Sequence, residues 1–413
     1  MPPIPFPVLP PEEESERIEG LDFLRGLAVI GILVANVAAF GLPNIASVNP
    51  FAWGMSNGAD IAAWLFTFLF VDGKMRALFA IMFGASMLLV MEAAETRGQD
   101  GLAMHRRRMW TLIPIGLAHY LLLWDGDILL QLAFAGLVGM RLARLDQLAL
   151  LKWGLALIAA QWFFVMLSVL PPYWVRSAAE AGGTSLSVWQ NYADALGVSP
   201  SAAVAKDIAL HQSGYAALVT DRLRHIADMA AGAVRYSLLE TLGFMAFGMA
   251  MLKGGFLSGQ WTPEQYRATW LRSWAVGLVP MAGLAVWILS RGDPLAAQAS
   301  ILGWSLPLRL PLAVGHAALA MLLCDGLVRG WLRDAVIAVG RLALSAYLLT
   351  SLIMTTLFYG YGAALYGTLG RAALLGIAAG ATGLLLLVCW GWRRQFGQGP
   401  IERLWRLAAR GRR

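Results

Sequence analysis

A histidine followed closely by two carboxylates is the part of this sequence best equipped for chemistry. His119 lies in an apolar stretch that ends in the turn Trp124-Asp125-Gly126-Asp127. A histidine held by a carboxylate can act as a general base, because the acid fixes its tautomer and stabilises the imidazolium. We therefore predict that His119 is a catalytic base helped by Asp125 or Asp127. The alternatives are a histidine hydrogen-bonded between helices and a solvated Asp-Gly-Asp hairpin.

Five other charged residues lie in or beside apolar stretches, and we expect them to bind a substrate or a donor. Asp22 and Arg25 are three positions apart, so on a helix they share a face and can pair. Lys74 and Arg76 lie where a glycine interrupts a long apolar stretch, and Arg341 lies near the start of a later one. Such cations suit a phosphate or carboxylate. Alternatively, Asp22 and Arg25 form an interfacial ion pair, and the lysine and arginine extend to the membrane surface.

Further polar residues occur inside the apolar stretches. Arg341, Ser345 and, less closely, Ser351 fall toward one side of a helix, which predicts a common polar face. Asn36 lies deep in the first apolar stretch, where a hydrogen bond between helices is its expected role.

Several common kinds of site have no counterpart in the sequence. It contains no phosphate-binding loop, no zinc-ligand spacing and no nucleophile elbow. Cys324 and Cys389 form neither a disulfide framework nor a metal pattern, so we predict packing roles for both. We therefore expect no metal and no bound cofactor.

Long apolar stretches must position these residues. Hydrophobic residues make up 58% of the 413 residues and charged residues only 14%, which is more apolar surface than a water-soluble chain of this size buries. A helix of roughly 20 apolar residues crosses a bilayer and satisfies its own backbone. The sequence therefore predicts an all-α, polytopic transmembrane helix bundle with about ten spans. The predicted spans are residues 22–41, 60–92, 108–124, 127–141, 148–170, 235–252, 271–290, 303–325, 335–358 and 369–392.

Lysine and arginine are distributed unequally between the predicted spans. We interpret residues 60–92 as one broken crossing, because two crossings would place Arg106–Arg108 outside the cell. Segments rich in lysine and arginine stay in the cytoplasm. Both termini are therefore predicted to be cytoplasmic. Three short segments on the other side contain no lysine or arginine: 42–59, 125–126 and 359–368.

The chain is predicted to consist of two membrane halves joined by an exterior segment. That segment, residues 171–234, has helical patterning with Ser199 or Ser201 as a helix cap, so we expect a small helical cap outside the membrane. The predicted divisions are an N-terminal cytoplasmic tail (1–20), an N-terminal membrane half (21–170), the exterior cap (171–234), a C-terminal membrane half (235–392) and a basic cytoplasmic tail (393–413).

The lipid bilayer is the expected partner of this basic chain. Its formal net charge of +7 comes from residues near the predicted membrane boundaries, where they meet anionic lipid. Near the C-terminus, Glu402 and Arg406 are spaced to pair on a short amphipathic helix at the inner surface. We expect no nucleic-acid binding, because no basic patch coincides with a nucleic-acid-binding motif.

Several short motifs, in order along nearly the whole chain, resemble one known family. The motifs are Arg17–Gly26, Gly73–Gly84, Gly116–Leu129, Gly340–Tyr347, Phe358–Gly362 and Gly399–Arg406. In these segments the chain resembles the YeiB-type integral membrane family, which contains the domain of unknown function 418. The resemblance implies a multi-pass protein of the bacterial inner (cytoplasmic) membrane.

The N-terminal half of that family is similar to transmembrane acyltransferases such as heparan-α-glucosaminide N-acetyltransferase. The shared motif is Leu-Asp-x-x-Arg-Gly, here Leu21–Gly26. Those enzymes take an acyl group from acyl-CoA on the cytosolic side and deliver it to a sugar on the far side. Their catalytic histidine lies between the first two core helices, where residues 42–59 of this chain contain none. His119 would therefore act in a different arrangement.

These observations support three functional hypotheses. The first is a membrane acyltransferase that moves an acyl group from a cytoplasmic donor such as acyl-CoA to an exterior glycan or lipid-linked acceptor, with His119 as base. The second is a transporter or exporter of a small anionic or amphipathic solute, in which the buried charges bind the solute or relay protons. The third is a membrane scaffold without catalysis.

Overall fold

The computed structural model describes residues 11–182, 185–198 and 200–410, and within them every regular element is a helix. The predicted all-α class is therefore confirmed. The helices are α1 (Pro11–Gly41), α2 (Gly58–Phe66), α3 (Lys74–Glu95), α4 (Gly101–Leu122), α5 (Leu129–Gly139), α6 (Gln147–Val169), α7 (Pro171–Glu180), α8 (Leu186–Ala195), α9 (Ala202–His211), α10 (Tyr215–Arg224), α11 (Ile226–Tyr236), α12 (Leu238–Lys253), α13 (Pro263–Arg291), α14 (Pro294–Gln298), α15 (Leu306–Leu322), α16 (Gly330–Arg341), α17 (Ala343–Phe358), α18 (Arg371–Phe396) and α19 (Pro400–Arg410). Short 3₁₀ helices occur at Asn44–Ser47 and Pro50–Ala52, and π-helical turns at Thr67–Val71, Ala299–Trp304 and Leu323–Leu327.

Five segments of the described chain are long and apolar enough to cross a membrane, and two bent helix pairs raise the number to seven. These segments identify a membrane protein. The ten predicted spans also include α4, α5 and α12, of which α5 has only 11 residues and α12 only 16. The number ten and the cytoplasmic termini therefore stay predictions. The five segments are Glu19–Gly41, Gly58–Glu95, Gln147–Glu180, Pro263–Arg291 and Arg371–Phe396.

The second predicted span contains a break within one candidate crossing. Helix α2, the π-helical turn and α3 together form a single candidate of 38 residues. Gly73, between the turn and α3, has a φ of +75°, and a Cβ there would lie 2.7 Å from the Arg309 side chain. The break therefore requires glycine for its backbone conformation and for the close approach of this arginine.

The ninth predicted span, residues 335–358, is a bent pair instead of a straight helix. Helices α16 and α17 meet at 91° around Leu342. The expected common face of Arg341, Ser345 and Ser351 is therefore wrong, because the bend separates the first of them from the other two. Arg341 contacts Asp22 on α1, whereas the two serines extend from α17 to different partners.

Helix α1 lies at the centre of the bundle and packs against α3, α16, α17 and α18. Its contact with α16 is a close backbone approach. A Cβ on Gly340 would lie 1.8 Å from the Asp22 carbonyl oxygen, and one on Gly26 would lie 2.0 Å from that of Val336. The two glycines therefore bring the start of α1 and the end of α16 together.

Helices α7–α11 occupy the segment predicted as an exterior cap. Ser201 caps α9 by accepting a hydrogen bond from the Val204 amide, as predicted, whereas Ser199 lies outside the described residues. The cap is joined to the bundle through polar contacts: Asp207 accepts from the Asn44 amide at 2.8 Å, and Tyr120 donates to the Arg222 carbonyl at 3.2 Å.

Candidate functional site

Three side chains from distant parts of the chain form a continuous hydrogen-bonded series inside the bundle. His119, in the last turn of α4, has Nδ1 2.7 Å from Asp127 Oδ1 and Nε2 2.8 Å from Ser351 Oγ on α17. The side chains of His119 and Asp127 are 0% and 1% exposed, and Ser351 is 1% exposed. We call these three residues the Asp-His-Ser series.

The start of α5 determines the orientation of the series. Asp127 Oδ2 accepts a hydrogen bond from the Leu130 amide at 2.7 Å, which ties the carboxylate to a helix N-terminus. An ionised carboxylate only accepts hydrogen bonds, so the Nδ1 atom of His119 must donate to it. In a neutral imidazole, the Nε2 atom then has no proton and faces the Ser351 hydroxyl as an acceptor. This is the tautomer that a general base requires.

Asp125 was predicted alongside Asp127, and the structure separates the two. Asp127 contacts the His119 ring, whereas Asp125 is half-buried and its charge acts on His211 of the exterior cap. Burial lowers the pKa of His211, but the hydrogen bond to Asp207 and the charge of Asp125 outweigh burial, so that this pKa is raised.

Aromatic rings enclose His119. The Tyr347 ring lies 4.9 Å from the imidazole, centroid to centroid, and the Trp124 ring lies 6.5 Å away and edge-on. Trp124 in turn stacks on Phe40 at 4.0 Å. These rings shield the imidazole from solvent, and a low local dielectric strengthens its hydrogen bonds.

A second feature, which we call the basic cavity, has Tyr347 in its lining. It has a volume of about 320 Å³ and is lined mainly by apolar side chains of α3, α4, α5 and α17. This volume is near the lower end of the roughly 300–1,000 Å³ usual for small-molecule sites. The lining also contains four arginines: Arg25, Arg108, Arg341 and Arg406.

Two of these arginines were predicted as binding residues, and they share one carboxylate. Asp22 accepts from Arg25 Nη1 and from Arg341 Nε, each at 2.8 Å. The predicted pairing of Asp22 with Arg25 is therefore present. Arg25 also donates to Ser86 Oγ at 2.9 Å, so that its guanidinium is held at the cavity wall.

The other two arginines, Arg108 and Arg406, were not predicted as site residues. The Arg108 guanidinium lies 4.3 Å from the Trp405 ring centre, and Trp405 Nε1 donates to the Arg108 carbonyl at 2.9 Å. Neither arginine has an acidic partner among the described residues. The sequence features that indicate them are the basic run Arg106–Arg108 before His119 and, for Arg406, the amphipathic helix near the C-terminus.

Helix α19 closes one side of the basic cavity. The predicted pair between Glu402 and Arg406 is wrong, because Glu402 instead accepts from the Leu344 and Ser345 amides at 2.8 and 2.9 Å. A buried carboxylate at the N-terminus of α17 gains more from these amides than from an exposed arginine on its own helix. The contact ties α19 to the helix that carries Tyr347.

Lys74 and Arg76 lie in a separate charged group and do not line the basic cavity. Lys74 is 1% exposed and donates to the Phe68 carbonyl. Glu240 accepts from Arg76 at 3.2 Å and from Arg309 at 3.0 Å. The five predicted binding residues therefore form two groups, of which Asp22, Arg25 and Arg341 accompany the basic cavity.

The described residues contain no group of three or more histidine, cysteine, aspartate or glutamate side chains that could hold a metal ion. The two cysteines are buried and unbonded to each other.

Comparison with known proteins places the chain among bacterial proteins described as uncharacterized. Residues 251–412 match the family described as "Protein of unknown function (DUF418)". The chain is 33% identical over 398 residues to "Uncharacterized protein YeiB" of Escherichia coli strain K12, covering 95% of this chain and 96% of that protein. It is 29% identical over 418 residues to "Uncharacterized protein YxaH" of Bacillus subtilis strain 168, covering 97% and 96%.

Proposed function

Because the chain belongs to the YeiB family, whose members named above have no assigned activity, we propose its function from its own geometry. The proposed function is that of a membrane-embedded acyltransferase. It takes an acyl group from an anionic thioester donor of the acyl-CoA class and transfers it to a hydroxyl or amine of an exterior or lipid-linked acceptor.

One observation carries this proposal: Tyr347 lines the basic cavity, and its ring lies 4.9 Å from the ring of His119, the base of the Asp-His-Ser series. Apolar walls with arginines suit a donor that joins an acyl chain to phosphates. The phosphates would remain near Arg108 and Arg406, which lack acidic partners among the described residues, while the acyl arm extends toward Tyr347.

In this proposal His119 is the general base, and Asp127 positions it. The Nε2 atom accepts the proton of the attacking hydroxyl, and the resulting imidazolium is stabilised by the Asp127 carboxylate. General-base catalysis of this kind contributes roughly 10²–10⁴ in rate. A buried site also excludes water, which would otherwise hydrolyse the donor.

The proposed location is the bacterial inner membrane, with the basic cavity open to the cytoplasm. The bacterial relatives support the first part. The positive-inside rule supports the second, because the arginines of the cavity lie on the side predicted to be cytoplasmic. A cytosolic donor is also what the resemblance of the Leu21–Gly26 motif to transmembrane acyltransferases implies.

Thermal stabilisation by a panel of acyl-CoAs tests the donor site. Acetyl-, octanoyl- and palmitoyl-CoA are added to the purified full-length protein, with CoA alone as a reference. A ligand that binds only the native state raises Tm with its concentration. We expect a saturable shift that needs at least about tenfold more ligand in Arg108→Gln and Arg406→Gln.

Arg394→Gln is the matched control. Arg394 lies on the side predicted to be cytoplasmic, with its guanidinium 4.2 Å from the Trp390 ring centre, and it does not line the cavity. This variant should keep the shift of the unmodified protein. A panel without any shift, or a shift unaffected by both cavity variants, would contradict the proposed donor site.

Transport is a second candidate function, favoured by the separate charged group. Glu240 lies between Arg76 and Arg309 beside the break at Gly73, and charged groups at broken helices accompany many solute pathways. Under this alternative, Glu240→Gln abolishes flux of a small anionic solute in proteoliposomes. Under acyl transfer it changes only stability.

A further inference from the structure

We propose that Ser351 is the nucleophile that carries the acyl group, so that transfer proceeds through a covalent acyl-enzyme. This inference rests on the proposed function and deepens it. A one-step transfer would need only a base and the two substrates, whereas the structure also presents a buried serine hydroxyl on that base.

The geometry around Ser351 is that of an activated nucleophile. Its Oγ lies 2.8 Å from His119 Nε2 and 3.3 Å from the Tyr347 carbonyl of its own helix. When Asp127 accepts from Nδ1 of a neutral imidazole, Nε2 is left as an acceptor, and the Ser351 hydroxyl can turn its proton from the Tyr347 carbonyl to this closer nitrogen. A serine with an adjacent base, itself oriented by a third group, is the arrangement that makes a weak nucleophile reactive.

A small void beside Ser351 has about the size of one water-sized atom, which matches the oxygen of the carbonyl under attack. The void has a volume of about 10 Å³ and is lined by Ser351, Thr350, Tyr347 and Asn36, together with apolar side chains of α1. The Asn36 amide has no hydrogen-bond partner among the described residues. A neutral amide donor next to a nucleophile can stabilise the oxyanion that forms on attack.

The chemistry balances without any further reactant. Ser351 Oγ attacks the thioester carbonyl and gives its proton to His119 Nε2; the carbon–sulfur bond breaks, and the thiolate leaves with that proton. In the second half, the acceptor hydroxyl gives its proton to Nε2 and attacks the Ser351 ester. The carbon–oxygen bond to Ser351 then breaks, and the proton returns to Oγ.

A covalent carrier also explains the separation of the two parts of the site. His119 is eleven residues along α4 from Arg108, which corresponds to about 16 Å along the helix axis. A donor held at the basic cavity and an acceptor on the far side can then use the same serine in turn. The Tyr347 ring lines the cavity and lies 4.9 Å from the His119 ring, so the proposal requires this ring to move when the acyl carbonyl enters.

Trapping the acyl-enzyme tests the proposal directly. The full-length protein is incubated without acceptor, using the acyl-CoA of the panel that gives the largest thermal shift, radiolabelled in its acyl group. We expect label that survives denaturation, is released by hydroxylamine and maps to the peptide containing Ser351. Ser351→Ala should lose the label, and Ser351→Cys should form a thioester that hydroxylamine releases faster.

Thr355→Ala is the matched control on the same helix. Thr355 is 0% exposed, one turn beyond Ser351, and its hydroxyl donates only within α17, to the Leu352 carbonyl at 3.4 Å. It should retain the label. If acyl-CoA raises the Tm of the protein but leaves no label on it, the carrier role of Ser351 is overturned. The same holds if the Ser351→Ala variant transfers the acyl group at the unmodified rate. Either result leaves the acyltransferase proposal intact.

A fluorophosphonate probe separates failure of the carrier from failure of the donor. This probe reacts with activated serines whatever their natural substrate. Labelling at Ser351 that disappears in His119→Gln would support Ser351 as a nucleophile. If no acyl-CoA raises the Tm of the same protein, the proposed donor class is overturned. No labelling and no shift would overturn both proposals.

Discussion

At the scale of single residues, the direction of each hydrogen bond decides what the site can do. The Leu130 amide fixes Asp127, Asp127 fixes the Nδ1 proton of His119, and this leaves Nε2 to accept from Ser351. Each contact is short and buried, so each constrains the next. With a neutral imidazole, the series therefore leaves a base facing a hydroxyl.

His119→Gln tests the base. Glutamine fills a similar volume and keeps a polar group, but it cannot accept and return a proton. We expect acyl transfer to fall by roughly 10²–10⁴, while Tm in detergent changes little. Transfer at the unmodified rate would remove His119 from the mechanism.

Asp127→Asn and Asp125→Asn distinguish the two carboxylates that the sequence could not separate. The first removes the acceptor that fixes the His119 tautomer, and the second changes a half-buried group that does not contact the ring. We expect transfer to fall at least about tenfold more in Asp127→Asn than in Asp125→Asn. Equal losses would argue against Asp127 as the positioning residue.

At the scale of helices, α19 and α17 are joined by one carboxylate. Glu402 is 8% exposed and satisfies the Leu344 and Ser345 amides at the start of α17. This contact positions the helix that carries Tyr347 and Ser351. The 91° bend at Leu342 is what makes that N-terminus available, since a straight helix would have used the same amides internally.

Glu402→Ala should destabilise the protein by about 1–2 kcal/mol, because it leaves buried amides at a helix N-terminus without an acceptor. It should also weaken acyl-CoA binding, since α19 lines the basic cavity. Chemical unfolding and the thermal-shift titration measure the two effects. Arg403→Ala, on the exposed face of the same helix, is the control and should change neither.

The exterior cap contains a pH-sensitive contact between two residues of α9. His211 Nδ1 lies 2.9 Å from Asp207 Oδ1, and the His211 ring stacks on Tyr366 at 4.2 Å. The pKa of His211 is raised from its ordinary value of 6.5. Burial raises the pKa of Asp207, but the hydrogen bond from His211 outweighs burial and the pKa is lowered from its ordinary value of 3.8.

These shifts have opposite consequences for stability. The raised pKa of His211 contributes stability that is complete below the unfolded pKa and is lost as pH rises through the folded one. The lowered pKa of Asp207 contributes stability above its unfolded value that is lost in stronger acid. The Tm difference between the unmodified protein and His211→Gln should therefore be larger at about pH 6 than at about pH 9. A constant difference would contradict a charged contact.

At the scale of the whole molecule, the distribution of charge predicts its orientation. The arginines of the basic cavity lie on the side of the bundle predicted to be cytoplasmic, and the exterior cap contacts the end of α4 beside His119, through Tyr120 and Arg222. A donor from the cytoplasm and an acceptor from outside would thus approach the same series from opposite sides.

Cysteine labelling in intact cells tests this orientation. Both native cysteines are buried, so an introduced thiol gives the signal. Ala59→Cys, exposed at the start of α2, should react with a membrane-impermeant maleimide. Arg97→Cys, exposed after α3, should react only after the membrane is permeabilised. The reverse pattern would invert the predicted topology and place the basic cavity outside.

The sequence by itself determined the all-α class and the membrane setting. Apolar stretches of helical length leave lipid as the available solvent, and this information is local. It also identified His119 with the Asp125–Asp127 turn, because these residues are close along the chain. The pairing of Asp22 with Arg25 followed from their spacing of three positions on one helix.

Only the tertiary structure decided which residues meet across the bundle. Ser351 is 232 positions from His119 and Arg341 is 319 from Asp22, and spacing along a helix gives no information on such contacts. The bend at Leu342 redirected α17, and the missing side chains of Gly26 and Gly340 let α1 and α16 approach. Contacts of this kind depend on how the surfaces of two helices fit together, so the sequence of either helix alone does not determine them.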